Sequence, residues 1–351
     1  MSEDLRTDQT LEPPGLDIGP LQHWFDSALP GQTAGPLTAT LLAGGKSNLT
    51  YSVSDGEHRW IVRRPPLGHV LATAHDMHRE YRVMAALHDT SVPVPRMYAQ
   101  CADPAVIGAP FYVMEFVDGT VYRSADELAA TGRDATAAIA AAMVTVLADL
   151  HRVDVHRVGL DDLGRADGYL QRQVNRWARQ LDASRSRSLP QAETLIDCLR
   201  RRIPTDAETA LVHGDFRLDN LLMSGTAVHA VIDWEMATLG DPLTDVALLA
   251  VYGRLPALVS TPGLPDVSTA PGYPTKSELL QRYATASGRD LRAMTFHLAL
   301  ACFKLAVILE GIHYRHGRGQ TVGEGFESVG AAVPPLLEAG IRELSTHSKD
   351  Y

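Results

Sequence analysis

The stretch Leu211-Val-His-Gly-Asp-Phe-Arg-Leu-Asp-Asn220 sets a carboxylate at Asp215 and a side-chain amide five positions later at Asn220. A second carboxylate, Asp233, follows the turn Ser224-Gly225 inside Val231-Ile-Asp-Trp-Glu235. These groups in this order suit phosphoryl transfer from a nucleotide to a hydroxyl. One carboxylate orients the attacking hydroxyl and accepts its proton, while an amide oxygen and another carboxylate hold magnesium ions against the nucleotide phosphates. Each residue taken singly has a plainer reading, with Asp215 and Asp219 as turn residues and Asp233 as a helix cap. The coincidence of His213, Gly214, Asp215 and Asn220 at fixed spacing is what argues for a site. Asp215 is therefore the expected catalytic carboxylate, and Asn220 and Asp233 are the expected metal ligands.

Rival catalytic patterns fail on inspection. Gly45-Lys46-Ser47 is no P-loop, because its required first glycine would fall at Thr40. No HExxH zinc helix, GxSxG elbow or GxGxxG fingerprint ahead of a helix is present, and His75 with His78 lacks further ligands at metal spacing. No Ala-Pro-Glu segment follows Asp233, which disfavours a protein acceptor. One further spacing points to substrate binding. Lys304, Gly311 and Arg315 return to one helical face, so two cations flanking a glycine could receive an acidic acceptor.

The elements that must position these residues fall into two groups. Thr38 to Ala43, Leu49 to Val53, Arg59 to Arg63 and Phe111 to Phe116 read as strands, with a helix over Ala74 to His88 between the third and fourth. An earlier helix is expected over Gly19 to Leu29. From about Asp126 the chain reads mainly as helix, with candidates over Asp134 to His151, Tyr169 to Leu181, Gln191 to Arg201, Leu243 to Tyr252 and Lys276 to Ser287. Short strands at Ala210 to His213 and Ala227 to Ile232 interrupt them. Gly253 to Pro274 carries five prolines and three glycines and is expected to be a long surface loop.

At 351 residues, two lobes are expected. The formal net charge of -10 argues against a nucleic-acid binder, which needs a basic face, and the three scattered cysteines suggest neither a disulfide framework nor a zinc site. A reducing cytoplasm fits that cysteine usage. The apolar stretches Ala135 to Leu150 and Leu298 to Ile312 fall short of the ~20 residues that cross a bilayer and are expected as buried core helices. Residues 1–20 are expected to be a flexible leader, 21–117 an N-terminal nucleotide-binding lobe, and 118–351 a C-terminal catalytic and acceptor-binding lobe.

His213-Gly214-Asp215 with Asn220, followed by Ile232-Asp233-Trp234-Glu235, resembles the aminoglycoside phosphotransferase and choline kinase superfamily. Gly44-Gly45-Lys46-Ser47-Asn48, Glu80-Tyr81, Met114-Glu115-Phe116 and Gly240-Asp241-Pro242-Leu243-Thr244-Asp245-Val246 are most similar to the branch found beside or fused to acyl-CoA dehydrogenases. The resemblance runs from about Leu21 to near the C-terminus. It implies an α+β, protein-kinase-like two-lobed fold with a small β-rich N-lobe and a larger, mainly helical C-lobe.

By the same resemblance the cofactors are ATP and Mg2+. Gly44, Gly45, Ser47 and Asn48 would approach the phosphates, and Glu80 would pair with a cation on the third strand. That position holds Arg63 where kinases place lysine, which keeps the charge with a different geometry. Backbone groups of Glu115 and Val117 would bond the adenine. Asp241 and Asp245 would brace the catalytic loop, and His151 would be a structural helix-end histidine. The implied acceptor is a small molecule, with a hydroxyacyl-CoA or related hydroxy acid ahead of an aminoglycoside or choline. The alternatives are a nucleotide-binding regulatory module with weak turnover, motivated by Arg63, and a metal-dependent phosphohydrolase using Asp215 and Asp233, which the glycine turn at Gly44-Gly45 and the order of motifs disfavour.

Overall fold

The computed structural model describes residues 13–42, 48–67, 76–258, 266–320, 326 and 328–345. The chain divides into two compact units, one of residues up to His88 with Val94–Val117, the other of Asp89–Pro93 with Asp118 onward. Each is described by itself.

The first unit holds α1 (Ile18–Ala28), β1 (Thr38–Leu41), β2 (Leu49–Ser54), β3 (Arg59–Arg64), α2 (Met77–Leu87), β4 (Met97–Cys101) and β5 (Phe111–Glu115). Its five strands form one sheet in the order β1-β2-β3-β5-β4, antiparallel throughout. The central strands β3 and β5 are buried on both faces, and the period-two alternation of a strand sorts their side chains. Trp60, Val62, Phe111 and Val113 pack with Leu21 and Phe25 of α1, where the Phe25 and Trp60 rings meet edge to face at 5.5 Å. Arg63 and Tyr112, paired across the ladder, reach Glu80 of α2 on the other face. Leu16 is buried and the Gly15 carbonyl accepts from Arg64, so residues 15–20 pack into this unit. The expectation of a flexible leader over residues 1–20 therefore does not hold from Gly15 onward, and residues 1–12 lie outside the described residues.

The second unit holds α3 (Ala125–Ala129), α4 (Arg133–Leu150), α5 (Tyr169–Ser184), α6 (Pro190–Arg201), β6 (Ala210–Val212), β7 (Leu221–Ser224), β8 (Ala227–Val231), β9 (Thr238–Gly240), α7 (Leu243–Leu258), α8 (Lys276–Ser287), α9 (Met294–Gly317) and α10 (Val333–Ser345). The helix α9 is its axis, packed against α10, α7, α5 and α6. At 24 residues α9 exceeds the expected Leu298 to Ile312 and is long and apolar enough to cross a membrane by composition alone. Leu298, Ala299, Phe303, Leu305 and Ala306 are nevertheless buried in this unit, as a core helix requires. Two small antiparallel pairs, β6 with β9 and β7 with β8, are inserted among the helices.

Two further departures from expectation have local causes. Helix α7 continues to Leu258 with Pro256 in its last turn, so the segment after Tyr252 begins as helix. Proline there forfeits one hydrogen bond in the last turn, at less cost than in a helix interior. Helix α10 begins Val333-Pro334-Pro335, and proline is well suited to the first helical turn although it reads as a breaker.

Candidate active site

The strand β6 delivers the chain into His213-Gly214-Asp215. His213 is fully buried, its ring edge to face with Phe216 at 5.8 Å and tilted against Trp234 at 4.7 Å. Its Nε2 donates to the Ile232 carbonyl at 3.0 Å, which ties the first loop to the segment carrying Asp233. Gly214 takes φ +85°, and a Cβ there would lie 2.7 Å from the Met236 carbonyl oxygen, so glycine is required on both counts.

The backbone of this loop is clamped from two sides. Asp245, in the first turn of α7, accepts the His213 N–H at 2.7 Å and the Gly214 N–H at 2.8 Å. Burial pushes the Asp245 carboxyl up, but the hydrogen bonds from His151 and the His213 N–H, with the charges around it, outweigh that and hold it below its ordinary range. His151 is buried at the end of α4, with Nε2 3.3 Å from Asp245 and Nδ1 2.8 Å from the Tyr283 hydroxyl. Desolvation drives its pKa down in spite of the neighbouring carboxylate. Asp241 lies 3.1 Å from His297 and accepts the Leu243 N–H at 2.9 Å, at the start of α7. Both carboxylates thus brace loops.

Asn220 closes a short 3-10 turn, Leu218–Asn220. Its Nδ2 donates to the Asp215 carbonyl at 2.9 Å and to the Asp215 carboxylate at 3.3 Å. The amide oxygen is then the atom available to a cation. The Asn220 carbonyl accepts the Ile232 N–H at 3.0 Å, which brings the Asp233 segment alongside. Asp233 itself adopts φ 68°, ψ 58°, the one non-glycine residue with positive φ among those described. That conformation costs roughly 1–3 kcal/mol and concentrates at functional sites. An amide oxygen and a carboxylate are hard donors of the kind magnesium takes, so these side chains fit that ion.

Asp215 is half-buried. Tyr252 on α7 reaches its Oδ1 at 3.4 Å, and Arg217 Nε lies 3.9 Å from its Oδ2. Arg217 also pairs with Asp219 and lies over the Tyr252 ring at 5.0 Å. Burial, with the negative charge of Asp215 beside it, raises the Tyr252 phenol far above its ordinary value. Neither Arg217 nor Tyr252 was foreseen from the sequence. The signals were present: Arg217 is two residues past Asp215, and Tyr252 is two helical turns past Asp245 on the same face.

In the first unit Glu80 is fully buried and gathers Asn48 Nδ2 at 3.1 Å, the Tyr112 hydroxyl at 3.0 Å and Arg63 Nε at 3.4 Å. The expected Arg63–Glu80 pair is present. Asn48, expected among the phosphate donors, is buried with its amide turned to Glu80. The Glu115 N–H donates to the Arg96 carbonyl at 2.8 Å, so any adenine contact from Glu115 falls to its carbonyl. Val117 closes this unit. Gly44, Gly45 and Ser47 lie outside the described residues.

Lys304 and Arg315 do not form one site. The Lys304 ammonium donates to the Gly214 carbonyl at 2.6 Å and sits 5.5 Å from the centre of the Trp177 ring, while Arg315 is exposed near the end of α9. Eleven residues of helix put their Cα atoms about 16 Å apart. The two residues share a helical face by their spacing, but the axial distance is too long for one small anion.

A small five-stranded antiparallel sheet in one unit, and in the other a helical body with a strand-loop-hairpin order of Asp, Asn and Asp, define a kinase-like fold. Residues 38–297 match the phosphotransferase enzyme family, and the chain belongs to it. It is 36% identical over 344 residues to rat (Rattus norvegicus) acyl-CoA dehydrogenase family member 11, covering 94% of this chain and 44% of that protein. The chain thus spans less than half the length of that relative. A Ralstonia eutropha JMP134 protein, provisionally named an aminoglycoside phosphotransferase, superposes with a TM-score of 0.81 at 33% identity over 94% of this chain and 98% of its own. A choline kinase from Cryptosporidium parvum gives a TM-score of 0.66 at 13% identity, covering 94% and 96%. The streptomycin-ATP complex of APH(2")-IIa gives 0.57 at 16% identity, covering 95% and 98%. The last two show the fold alone.

Proposed function

We propose that this chain is an ATP- and magnesium-dependent phosphotransferase that moves the γ-phosphoryl group to a hydroxyl of a small molecule. The observation that carries this reading is Asp215. It is half-exposed on a loop whose preceding N–H groups are fixed by Asp245 and whose carbonyl and carboxylate are fixed by Asn220. A carboxylate so held can orient an acceptor O–H and take its proton as the oxygen bonds to the γ-phosphorus and the bond to the β-phosphate oxygen breaks, releasing ADP. Magnesium, held by the Asn220 oxygen and the Asp233 carboxylate, would neutralise charge on the phosphates.

Arg63, oriented by Glu80, would meet the nucleotide phosphates, and the Glu115 carbonyl with the Val117 N–H would bond the adenine. The ATP-bound structure of a protein with the same fold supports the choice of nucleotide. The relative named for acyl-CoA dehydrogenase supports a hydroxyacyl-CoA or related hydroxy acid as acceptor. The test is a screen of acyl-CoA and hydroxylated metabolites with Mg-ATP, following ADP and a phosphate-sized mass gain on the acceptor. ADP in step with a phosphorylated acceptor is expected. Free phosphate in place of that product would mark a hydrolase, and no ADP with any compound would overturn the reading.

A further inference from the structure

Two cavities adjoin within the second unit, at the side of Asp215 occupied by Arg217 and Tyr252. The first, about 30 Å³, is lined by Arg217, Asp219, Tyr252, Ser268 and Tyr273 among others. The second, about 170 Å³, is lined by Arg254, Ser268, Tyr273, Thr275 and Lys276 among others. Gly253, Ser268 and Tyr273 line both, so the two are one groove with a narrow end and a wide end. The narrow end begins at the two side chains that touch Asp215, Tyr252 at 3.4 Å and Arg217 at 3.9 Å.

Three observations indicate what the groove takes. Arg217 Nε and Ser268 Oγ are buried without a hydrogen-bond partner among the described residues, and both belong to residues lining the narrow end. Buried donors are almost always satisfied, so two on one small cavity call for oxygen atoms there, from water or from a ligand. Arg254 and Lys276 both line the wide end and converge on the buried Glu343, to which Arg254 is ion-paired and from which Lys276 Nζ is 3.6 Å away. At the narrow end Arg217 faces Asp219 and Asp215, whereas the wide end is lined by two cations, Arg254 and Lys276, that share Glu343. A wide end so lined opposes a polycationic aminosugar or a quaternary amine and favours an anion.

We infer that this groove binds the phosphate acceptor, and that the acceptor is an anionic hydroxy compound. Its hydroxyl lies at the narrow end beside Asp215, and its carboxylate or phosphate lies at the wide end against Arg254 and Lys276. The inference rests on the phosphotransferase reading for the word acceptor, while the groove's preference for anions stands independently of turnover.

The test needs no knowledge of the acceptor. Ser268→Cys is introduced into a Cys198→Ser background, because Cys101 and Cys302 are buried. Labelling rates are then measured with two methanethiosulfonate reagents of similar size, one bearing a sulfonate and one a trimethylammonium group, against the same pair on a small free thiol. Relative to that thiol, the sulfonate reagent is expected to be favoured at least tenfold. The preference should shrink severalfold in Lys276→Gln and further in Arg254→Gln/Lys276→Gln. Melting curves of each variant show whether the fold persists, and Lys276→Gln alone decides the matter if loss of Arg254 unfolds the chain. No labelling at position 268, no preference, or a preference untouched by Lys276→Gln would overturn the groove. An ADP assay that fails while the labelling preference holds would instead overturn the phosphotransferase reading and leave the anion groove standing.

Discussion

The Lys304 ammonium donates to the Gly214 carbonyl at 2.6 Å, one peptide ahead of Asp215. Desolvation lowers its pKa, against the pull of Asp215 and Asp245, so the charge is held in an expensive place for the sake of this loop. Lys304 is thus a positioning residue. Lys304→Met keeps the stem against Trp177 and leaves the Gly214 carbonyl without its donor, a loss of about 1–3 kcal/mol if that oxygen stays dry. The expected kinetics are a kcat reduced at least tenfold with KM for both substrates little changed. A rise confined to the acceptor's KM would return Lys304 to acceptor binding.

The clamp behind the same loop should be acid-sensitive. His151 holds its imidazole below the ordinary 6.5, with burial the main cause, so below that pH the unfolded chain takes a proton that the folded one refuses. Stability then falls as pH drops. Asp245, held below its ordinary 3.8, adds a second loss as pH falls under about 4, where the unfolded carboxyl protonates first. Denaturant titrations between pH 7.5 and 5.0 should give a steeper fall for the parent than for His151→Gln, by up to about 1.4 kcal/mol per pH unit. Parallel curves would mean that His151 ionises with the fold intact.

The ion pair of the first unit yields a third expectation. Glu80 is fully buried, so Arg63→Ala removes a cation from a carboxylate that water cannot reach, a change of about 3–5 kcal/mol for a broken buried pair. Arg63→Ala should lower both the melting temperature and the affinity for Mg-ATP. Arg63→Lys should keep part of each, since charge survives without the planar fork. Calorimetry that finds nucleotide affinity unchanged in Arg63→Ala would remove Arg63 from the phosphate site while leaving its structural pairing with Glu80.

What the sequence disclosed followed from period and spacing. Leu21 and Phe25 on α1, the alternation in β3 and β5, and the Asp215-Asn220-Asp233 order are local patterns, and all appear in the structure within a residue or two. What escaped has identifiable causes. The strand β4 lies at the sheet edge with its side chains mostly half-exposed, so it lacks the clean alternation of β5. Pro256 and Pro334 concealed helix at positions where proline is tolerable. The Lys304–Gly214 and Tyr252–Asp215 contacts join residues 90 and 37 positions apart, and no local pattern encodes such pairs.

The last expectation separates the two carboxylates by role. Asp215→Asn preserves shape and the contacts with Asn220 and Tyr252 but removes the proton acceptor, so Mg-ATP should bind nearly as before while transfer falls roughly a hundredfold or more. Asp233 sits in the left-handed region, which Asn tolerates at least as well as Asp, so Asp233→Asn should fold normally. It replaces a charged oxygen ligand by a neutral one, and magnesium-dependent nucleotide affinity and turnover should fall together. Calorimetry with Mg-ATP, with and without the metal, and a coupled ADP assay on both variants distinguish the two patterns. Parent-rate turnover of an identified acceptor by Asp215→Asn would remove Asp215 from the chemistry. Unchanged metal dependence in Asp233→Asn would remove Asp233 from the ion and leave its strained backbone without a functional reason.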